Sequence, residues 1–380
     1  MSGRCGMRNS GGGIAVRGGA AARSAAGRTQ HVKFEAIAIN SVAKKKPTAE
    51  DAAHYIGLEH IDPGCFVVSR WGGDVAPIGD KLLMKKGDVL FGRRRAYQRK
   101  VAIAPFDGIF SAHGMVLRPK TDVVDEKFFP FFIASDQFMN EAVRISVGGL
   151  SPTINWGTLK NCEFDLPPMD EQKKLAELLW AANDLKESYK KAITATDEML
   201  KAKFREIISN ASSLKKLSDI SENLDNRRIP VTSGDRKNGP YPYYGASGIV
   251  DYIDAYIFDE ELLLVSEDGA NLLTRVTPIA FSVKGKCWVN NHAHVIRFTD
   301  KDTQQFAEYY LESIDLKPFI TGTAQPKLNK EKLSSIQIPL PPLSLQREFV
   351  AIADKAESAK ANLKKSIATI DQVMKGLINQ

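Results

Sequence analysis

Residues 148–168 read GGLSPTINWGTLKNCEFDLPP, and residues 322–342 read GTAQPKLNKEKLSSIQIPLPP. Laid over one another without a gap at an offset of 174 residues, they pair Gly148 with Gly322, Pro152 with Pro326, Asn155 with Asn329 and Leu159 with Leu333. The match runs on through Leu166-Pro167-Pro168 and Leu340-Pro341-Pro342 to Gln172 and Gln346. It resumes at Lys190, Lys191, Ile193 and Asp197 against Lys364, Lys365, Ile367 and Asp371. Solenoid repeats recur every roughly 20–50 residues, so a period this long marks a duplicated domain.

Each Leu-Pro-Pro is followed by acidic, Gln and Lys residues that favour helix, which predicts a long helix over 169–212 and a second over 343–380. In the first, Leu175, Leu178, Ala182, Leu185, Tyr189, Ala192, Thr196 and Met199 recur at alternating steps of three and four. The second carries Phe349, Ile352, Ala356, Ala359, Leu363, Ser366, Ile370 and Val373. Two heptad seams in one chain, each narrower than a globular core face, are expected to bury each other as an antiparallel coiled coil. From Asp170 to Ile208 is 39 residues, a rod of about 58 Å at helical rise.

Before each helix lies a stretch of short β-prone runs broken by Gly, Pro and Asp, giving globular domains at 31–168 and 213–342 with mixed β-structure, an α/β (α+β) class. Ser111-Ala112-His113 aligns with Asn290-Asn291-His292, and Phe131-Phe132-Ile133 with Tyr309-Tyr310-Leu311. The scaffold is therefore shared, but one turn is not: Gly92-Arg93-Arg94-Arg95-Ala96-Tyr97 falls on Ser266-Glu267-Asp268-Gly269-Ala270-Asn271. Arg93, Arg94, Arg95, Arg99 and Lys100, with Tyr97 among them, suit guanine edges and phosphates. In the second half Asn271, Asn290, Asn291, His292 and His294 suit adenine edges, although such groups also commonly satisfy loop backbone. Lys327, Asn329 and Lys330, with Thr153, Asn155 and Lys160 opposite, stand just before the helices as candidate phosphate contacts or turn residues.

The bulk numbers restrict function by what they exclude. With 380 residues, 43% of them hydrophobic and 26% charged, the chain can bury two cores. No apolar run nears the roughly 18 residues of a membrane span. Cys5, Cys65, Cys162 and Cys287 are far apart, which fits neither a zinc site nor a disulfide framework and points to a reducing cytoplasm. Of the net charge of +7, five positive charges (Arg4, Arg8, Arg17, Arg23, Arg28) fall in the first 29 residues, leaving 7 − 5 = +2 for the rest. Residues 1–30, rich in Gly, Ala, Ser and Arg, read as an unstructured leader. A phosphate-binding loop and a dinucleotide fingerprint are both missing, and no paired-carboxylate or metal-ligand cluster stands out. The expectation is a non-catalytic chain.

The assembled pattern resembles the specificity subunit of type I restriction-modification systems over about residues 31–380. GDVLFGRRRAYQRKVAIAP, YYGASGIVDYI, LLLVSEDGANL, WVNNHAHVIRF and the duplicated Leu-Pro-Pro-x-x-x-Gln carry the resemblance. It implies two target recognition domains, each reading one half of a bipartite site in double-stranded DNA, with the helices setting the gap between halves. It further implies docking of two methyltransferase (modification) subunits that bring S-adenosylmethionine. ATP would belong to a restriction or translocase subunit, and this chain would hold no cofactor. The base-reading residues differ from member to member, so those named above rest on chemistry and position. Two other readings stay open: a coiled-coil protein-interaction scaffold without DNA recognition, and an orphan DNA-modifying enzyme.

Overall fold

A computed structural model describes residues 29–211, 213–322 and 325–379. The glycine-rich leader lies almost wholly outside these described residues. The chain forms two compact units, one running to Lys186 and taking in the chain again from Thr369, the other Glu187–Ala368.

In the first unit Gln30–Lys33 pairs antiparallel with Glu163–Leu166, the strand that ends at Pro167. One four-stranded sheet orders Ala38–Ser41, Met115–Pro119, Val89–Phe91 and Val101–Ile103, and a second orders Lys44–Lys45, Lys81–Met84, Gly108–Phe110 and Tyr55–Ile56. Their strands are short apolar runs in which Val89, Leu90 and Phe91 are all buried, as a central strand covered on both faces requires. The helices Phe129–Ala134 and Asp136–Arg144 close the core, the second capped by Ser135, whose Oγ accepts the Phe138 N–H at 3.1 Å. Phe34 sits among Phe138 and Phe164 with ring centroids 5.2 and 5.7 Å away.

The second unit repeats this plan with more continuous β-structure. Leu214–Lys216 pairs with Gln337–Pro339. A six-stranded sheet orders Ser221–Asn223, Ala293–Phe298, Phe258–Ser266, Ala280–Val289, Tyr241–Gly245 and Gly248–Ile253. Leu262, Leu263, Leu264 and Val265 are all fully buried in its interior. Helix Lys301–Ser313 packs Phe306, Ala307 and Leu311 inward, with Asp300 as its cap. The mixed α/β architecture expected from the sequence is therefore present in both halves. No helix among the described residues is long and apolar enough to cross a membrane.

The long helices are Met169–Ser209 and Leu343–Ile378, of 41 and 36 residues. Each starts the same way. Proline has no N–H and its carbonyl at a helix mouth needs a donor. The Gln172 Nε2 donates to Pro167 O at 2.8 Å and the Gln346 Nε2 to Pro341 O at 2.7 Å, which explains the Leu-Pro-Pro-x-x-x-Gln spacing. Gln172 also donates to Val123 O at 3.3 Å and accepts the Asp125 N–H at 2.8 Å. The Oε1 of Gln346 is buried without a partner.

Both units take a piece of each helix, and in both the pieces run antiparallel. In the first, Leu175, Ala176, Leu179 and Ala182 join a core with Ile370, Met374 and Leu377; in the second, Leu200, Phe204 and Ile207 join Phe306, Phe349, Ala353 and Ala356. Lys186 donates to Asp371 at 2.9 Å in the first unit, and Lys360 to Asp197 at 2.5 Å in the second. These are the same two positions of the repeat, 174 residues apart, so the duplication recurs in the ion pairs.

The expected seam needs one correction. Leu178 and Leu185 are 57% and 45% exposed, and the buried row lies one residue later at Ala176, Leu179, Asn183 and Lys186. The reason is that a polar member of this row has its partners inside: the stem of Lys186 is covered while its ammonium also reaches Gly64 O at 3.1 Å. Phe349, Leu363 and Ile370 face inward or partly so, and Tyr189 and Ile352 are half-buried. Apolar counting alone places the stripe on the wrong side of Lys186.

The two glutamines should differ in stability measured by urea unfolding. Gln172→Ala removes three bonds and is expected to cost about 2–4 kcal/mol, whereas Gln346→Leu, which removes one bond and an orphaned carbonyl, should stay within about 1 kcal/mol. Equal losses would contradict this account of the joint.

Candidate nucleic-acid interface

The loop after strand Val89–Phe91 is closed by the Gly92 N–H on Lys100 O at 2.9 Å. Between them a short turn at Ala96–Gln98 is flanked by Arg95 and Arg99 in the left-handed region, with φ of 57° and 53°. Ala96 is buried and anchors the turn. Such backbone is costly for a β-substituted residue, so it persists only where neighbours hold it. The duplicated stretch is what holds it: the Arg95 N–H donates to Pro152 O at 2.7 Å and the Ile154 N–H to Arg93 O at 3.0 Å, while the Arg94 N–H donates to His113 O at 3.1 Å.

This backbone sorts the basic residues. Arg93 donates to Ala112 O at 3.2 Å, with its Nε buried. Arg99 donates to Ala134 O at 2.9 Å and pairs with Asp136 at 2.6 Å, and Lys100 donates to Leu58 O at 2.6 Å. Those three brace the loop. Arg94 and Arg95 each reach Ser151 Oγ at 3.1 Å, leaving most of their donors open, and Tyr97 is exposed. With Tyr55, Glu59, Gln98 and His113 the two arginines line a cleft of about 310 Å³. Burial, then Arg94, Arg93 and Lys81, push the His113 imidazole down, so its neutral Nε2 faces Arg94 Nη1 at 3.4 Å as an acceptor.

The equivalent loop in the second unit has the same backbone and opposite charge. The Gly269 N–H donates to Pro326 O at 3.0 Å and the Leu328 N–H to Glu267 O at 2.8 Å. Gly269 has a φ of 105°, which explains a glycine there. Arg94 bridges Thr153 and Asp268 bridges Lys327, the same two repeat positions. Glu267 turns inward to Arg228 at 2.7 Å and Lys327 at 3.1 Å. His292 lies 49% exposed with Nδ1 2.9 Å from the Asp268 carboxylate.

Beneath this loop His294 is buried, with Nδ1 2.6 Å from Asp225 and Nε2 2.7 Å from Leu328 O. Burial alone raises the Asp225 carboxyl, but His294, the Val295 N–H and Asn223 outweigh it and hold it below the usual range. Burial likewise raises Glu267, and Arg228, His294 and Lys327 bring it down. Asp225, Glu267 and His294 have metal-ligand spacing. The Arg228 guanidinium already sits at Glu267 and 3.6 Å from Asp225, so the acidic pair has its cation built in and the cluster is an ion-pair network.

The remaining candidates divide similarly. Asn271 ties its own loop, donating to Thr277 O at 2.9 Å and accepting the Thr277 N–H at 3.0 Å. Asn290 accepts the His292 N–H at 2.8 Å and Asn329 caps the next helix by accepting the Lys332 N–H at 3.0 Å. Asn291, Lys327 and Lys330 are exposed. Sequence reasoning passed over Asp268, Glu59, Gln98 and His113. Asp268 was within reach, since the repeat alignment sets it on Arg94.

Residues 39–195 and 212–372 each match the family described as type I restriction modification DNA specificity domain. S.HindORF215P of Haemophilus influenzae, by its name a type I restriction enzyme specificity subunit, is 41% identical over 140 residues, which are 37% of this chain and 36% of that one. The chain thus spans only about a third of that relative's length in the match. The MjaX specificity subunit of Methanocaldococcus jannaschii is 24% identical over 326 residues, 77% of both chains. The crystal structure of the type I restriction-modification system S subunit from M. genitalium superposes with a TM-score of 0.58 over 92% of this chain and 95% of that one at 13% identity, a likeness of fold. Two family matches that together span most of the chain, on the duplicated scaffold just described, make this protein a member of the type I restriction-modification DNA specificity family.

Proposed function

We propose that this chain is the non-catalytic addressing subunit of a cytoplasmic type I restriction-modification complex. Each globular half reads one half of a bipartite site in double-stranded DNA, and the paired helices set the unread gap. The observation that carries this reading is the pair of equivalent loops at 93–95 and 267–269, held by the same backbone bonds and differing in chemistry. A shared scaffold with divergent loops is how one fold reads two surfaces. Arg94, Arg95 and Tyr97 in the first half, and Asn291, His292 and Lys330 in the second, are the groups turned to DNA; Arg93, Arg99, Lys100, Asn271, Asn290 and Asn329 hold the loops in place, and Lys327, exposed but paired with Glu267, stands between the two sets.

Two methyltransferase subunits supply S-adenosylmethionine and the chemistry, and a restriction or translocase subunit uses ATP. The side chains of Leu178 and Leu185, one heptad apart on the exposed face of the first helix, offer apolar contact to such a partner.

A base-resolution map of DNA methylation tests the function in cells expressing this chain with its methyltransferase subunit. The expected product is a methylated motif of two short specified halves around a fixed gap, absent when this chain alone is omitted. An active, bound methyltransferase that marks no chain-dependent motif would return the weight to the scaffold reading. Leu178→Ser with Leu185→Ser should leave urea stability within about 1 kcal/mol, as exposed positions do. The same double variant should weaken methyltransferase binding about tenfold or more in titration calorimetry, and unaltered affinity would remove these residues from the interface.

A further inference from the structure

Arg94 and Asp268 occupy one position of the duplicated scaffold with opposite chemistry. Each bridges the same repeat position, Thr153 or Lys327. Each is followed by a residue whose N–H is held by the proline of the repeat, Pro152 or Pro326. Each side chain also meets a histidine at the aligned position: Arg94 Nη1 lies 3.4 Å from His113 Nε2, and the two Asp268 oxygens lie 3.0 and 2.9 Å from His292 Nδ1.

A guanidinium only donates and an ionised carboxylate only accepts. Arg94 is therefore built to meet acceptor edges such as guanine O6 and N7, and Asp268 to meet a donor. Guanine O6 and N7 and thymine O4 would be repelled by the carboxylate, while cytosine N4 and adenine N6 offer it an N–H. The Nδ1–H of His292 satisfies part of the carboxylate and fixes its direction, and the 16% of the Asp268 side chain that stays exposed is the part a base can meet. Phosphate repulsion, the obvious objection to an acid on this face, is limited because Arg228 and Lys327 offset the charge of the neighbouring Glu267.

We propose that Asp268, oriented by His292, is the specificity-determining residue of the second recognition domain. It takes a base bearing an exocyclic amine, cytosine or adenine, where Arg94 in the first domain takes an acceptor edge. This inference rests on the reading of the chain as a DNA specificity subunit and assigns the chemistry of its second half-site.

The test maps methylated motifs in cells expressing the methyltransferase subunit with the full chain or with Asp268→Asn, His292→Ala, Asp268→Arg or Arg94→Ala. The wild-type chain should give the bipartite motif. Asp268→Asn and His292→Ala should each relax base preference at one and the same position of one half, by roughly tenfold to a hundredfold, with the gap and the other half unchanged. Asp268→Arg should move that position's preference to guanine on the strand that had carried the amine-bearing base, and Arg94→Ala should relax a position in the other half. The inference is overturned if the Asp268 and His292 variants keep the wild-type motif, if methylation falls uniformly at all sites with the motif unaltered, or if their altered position lies in the same half as that of Arg94. Absence of any chain-dependent motif with the wild-type chain would instead overturn the functional reading itself.

Discussion

The hydrogen bond from the Arg95 N–H to Pro152 O, repeated as the Gly269 N–H to Pro326 O, is the contact on which the molecule's organisation depends. It fastens the loop at 93–95 or 267–269 to a segment that, 17 residues after its proline, becomes a long helix. Between the two ends that segment is itself immobilised, by Leu159 in the core and by pairing of Glu163–Leu166 with Gln30–Lys33. The second copy does the same through Leu333 and the pairing of Gln337–Pro339 with Leu214–Lys216. One short stretch thus holds the loop at its start and launches the helix at its end, which is why this stretch is the most clearly duplicated part of the chain.

With backbone fixed in this way, the side chains of the loop are released from structural duty and can differ between copies. The division of labour inside the arginine run shows the rule. Arg93, Arg99 and Lys100 spend their donors on carbonyls and a carboxylate, so they stabilise the left-handed turns at Arg95 and Arg99. Arg94 and Arg95 share a single serine hydroxyl and remain donor-rich. In the second copy Glu267 takes the bracing role through Arg228 and Lys327, over the buried His294–Asp225 pair, and Asp268, 16% exposed, turns to the exposed His292. The formal charge of the loop inverts while its hydrogen-bonded frame does not.

Much of this was legible in the residues. The 174-residue offset disclosed the duplication, and the Leu-Pro-Pro-x-x-x-Gln pattern located both helix starts because proline carbonyls and a glutamine five positions on have one good arrangement. The seam was read one residue out, since the buried row includes the polar residues Asn183 and Lys186, and the partners of Lys186 at Gly64 and Asp371 are far away in sequence. Charge clustering found the first loop but could not separate braces from open donors, because Ala134 O, Leu58 O and Asp136 come to it only through the fold. Asp268 was overlooked for a different reason, as the amides and imidazoles around it already suit adenine edges and draw attention from the acid that the alignment sets on Arg94.

Equivalent lysine–aspartate pairs hold the antiparallel register of the long helices within each unit, and in the proposed reading that register sets the unread gap. The most direct test of the central claim is the methylated motif of a chain carrying one extra heptad in each long helix at equivalent positions. Seven residues add about 10 Å, or roughly three base pairs. The account predicts an unread gap longer by about three base pairs with the bases of both halves unchanged. A gap of the original length, or a changed set of bases, would contradict it.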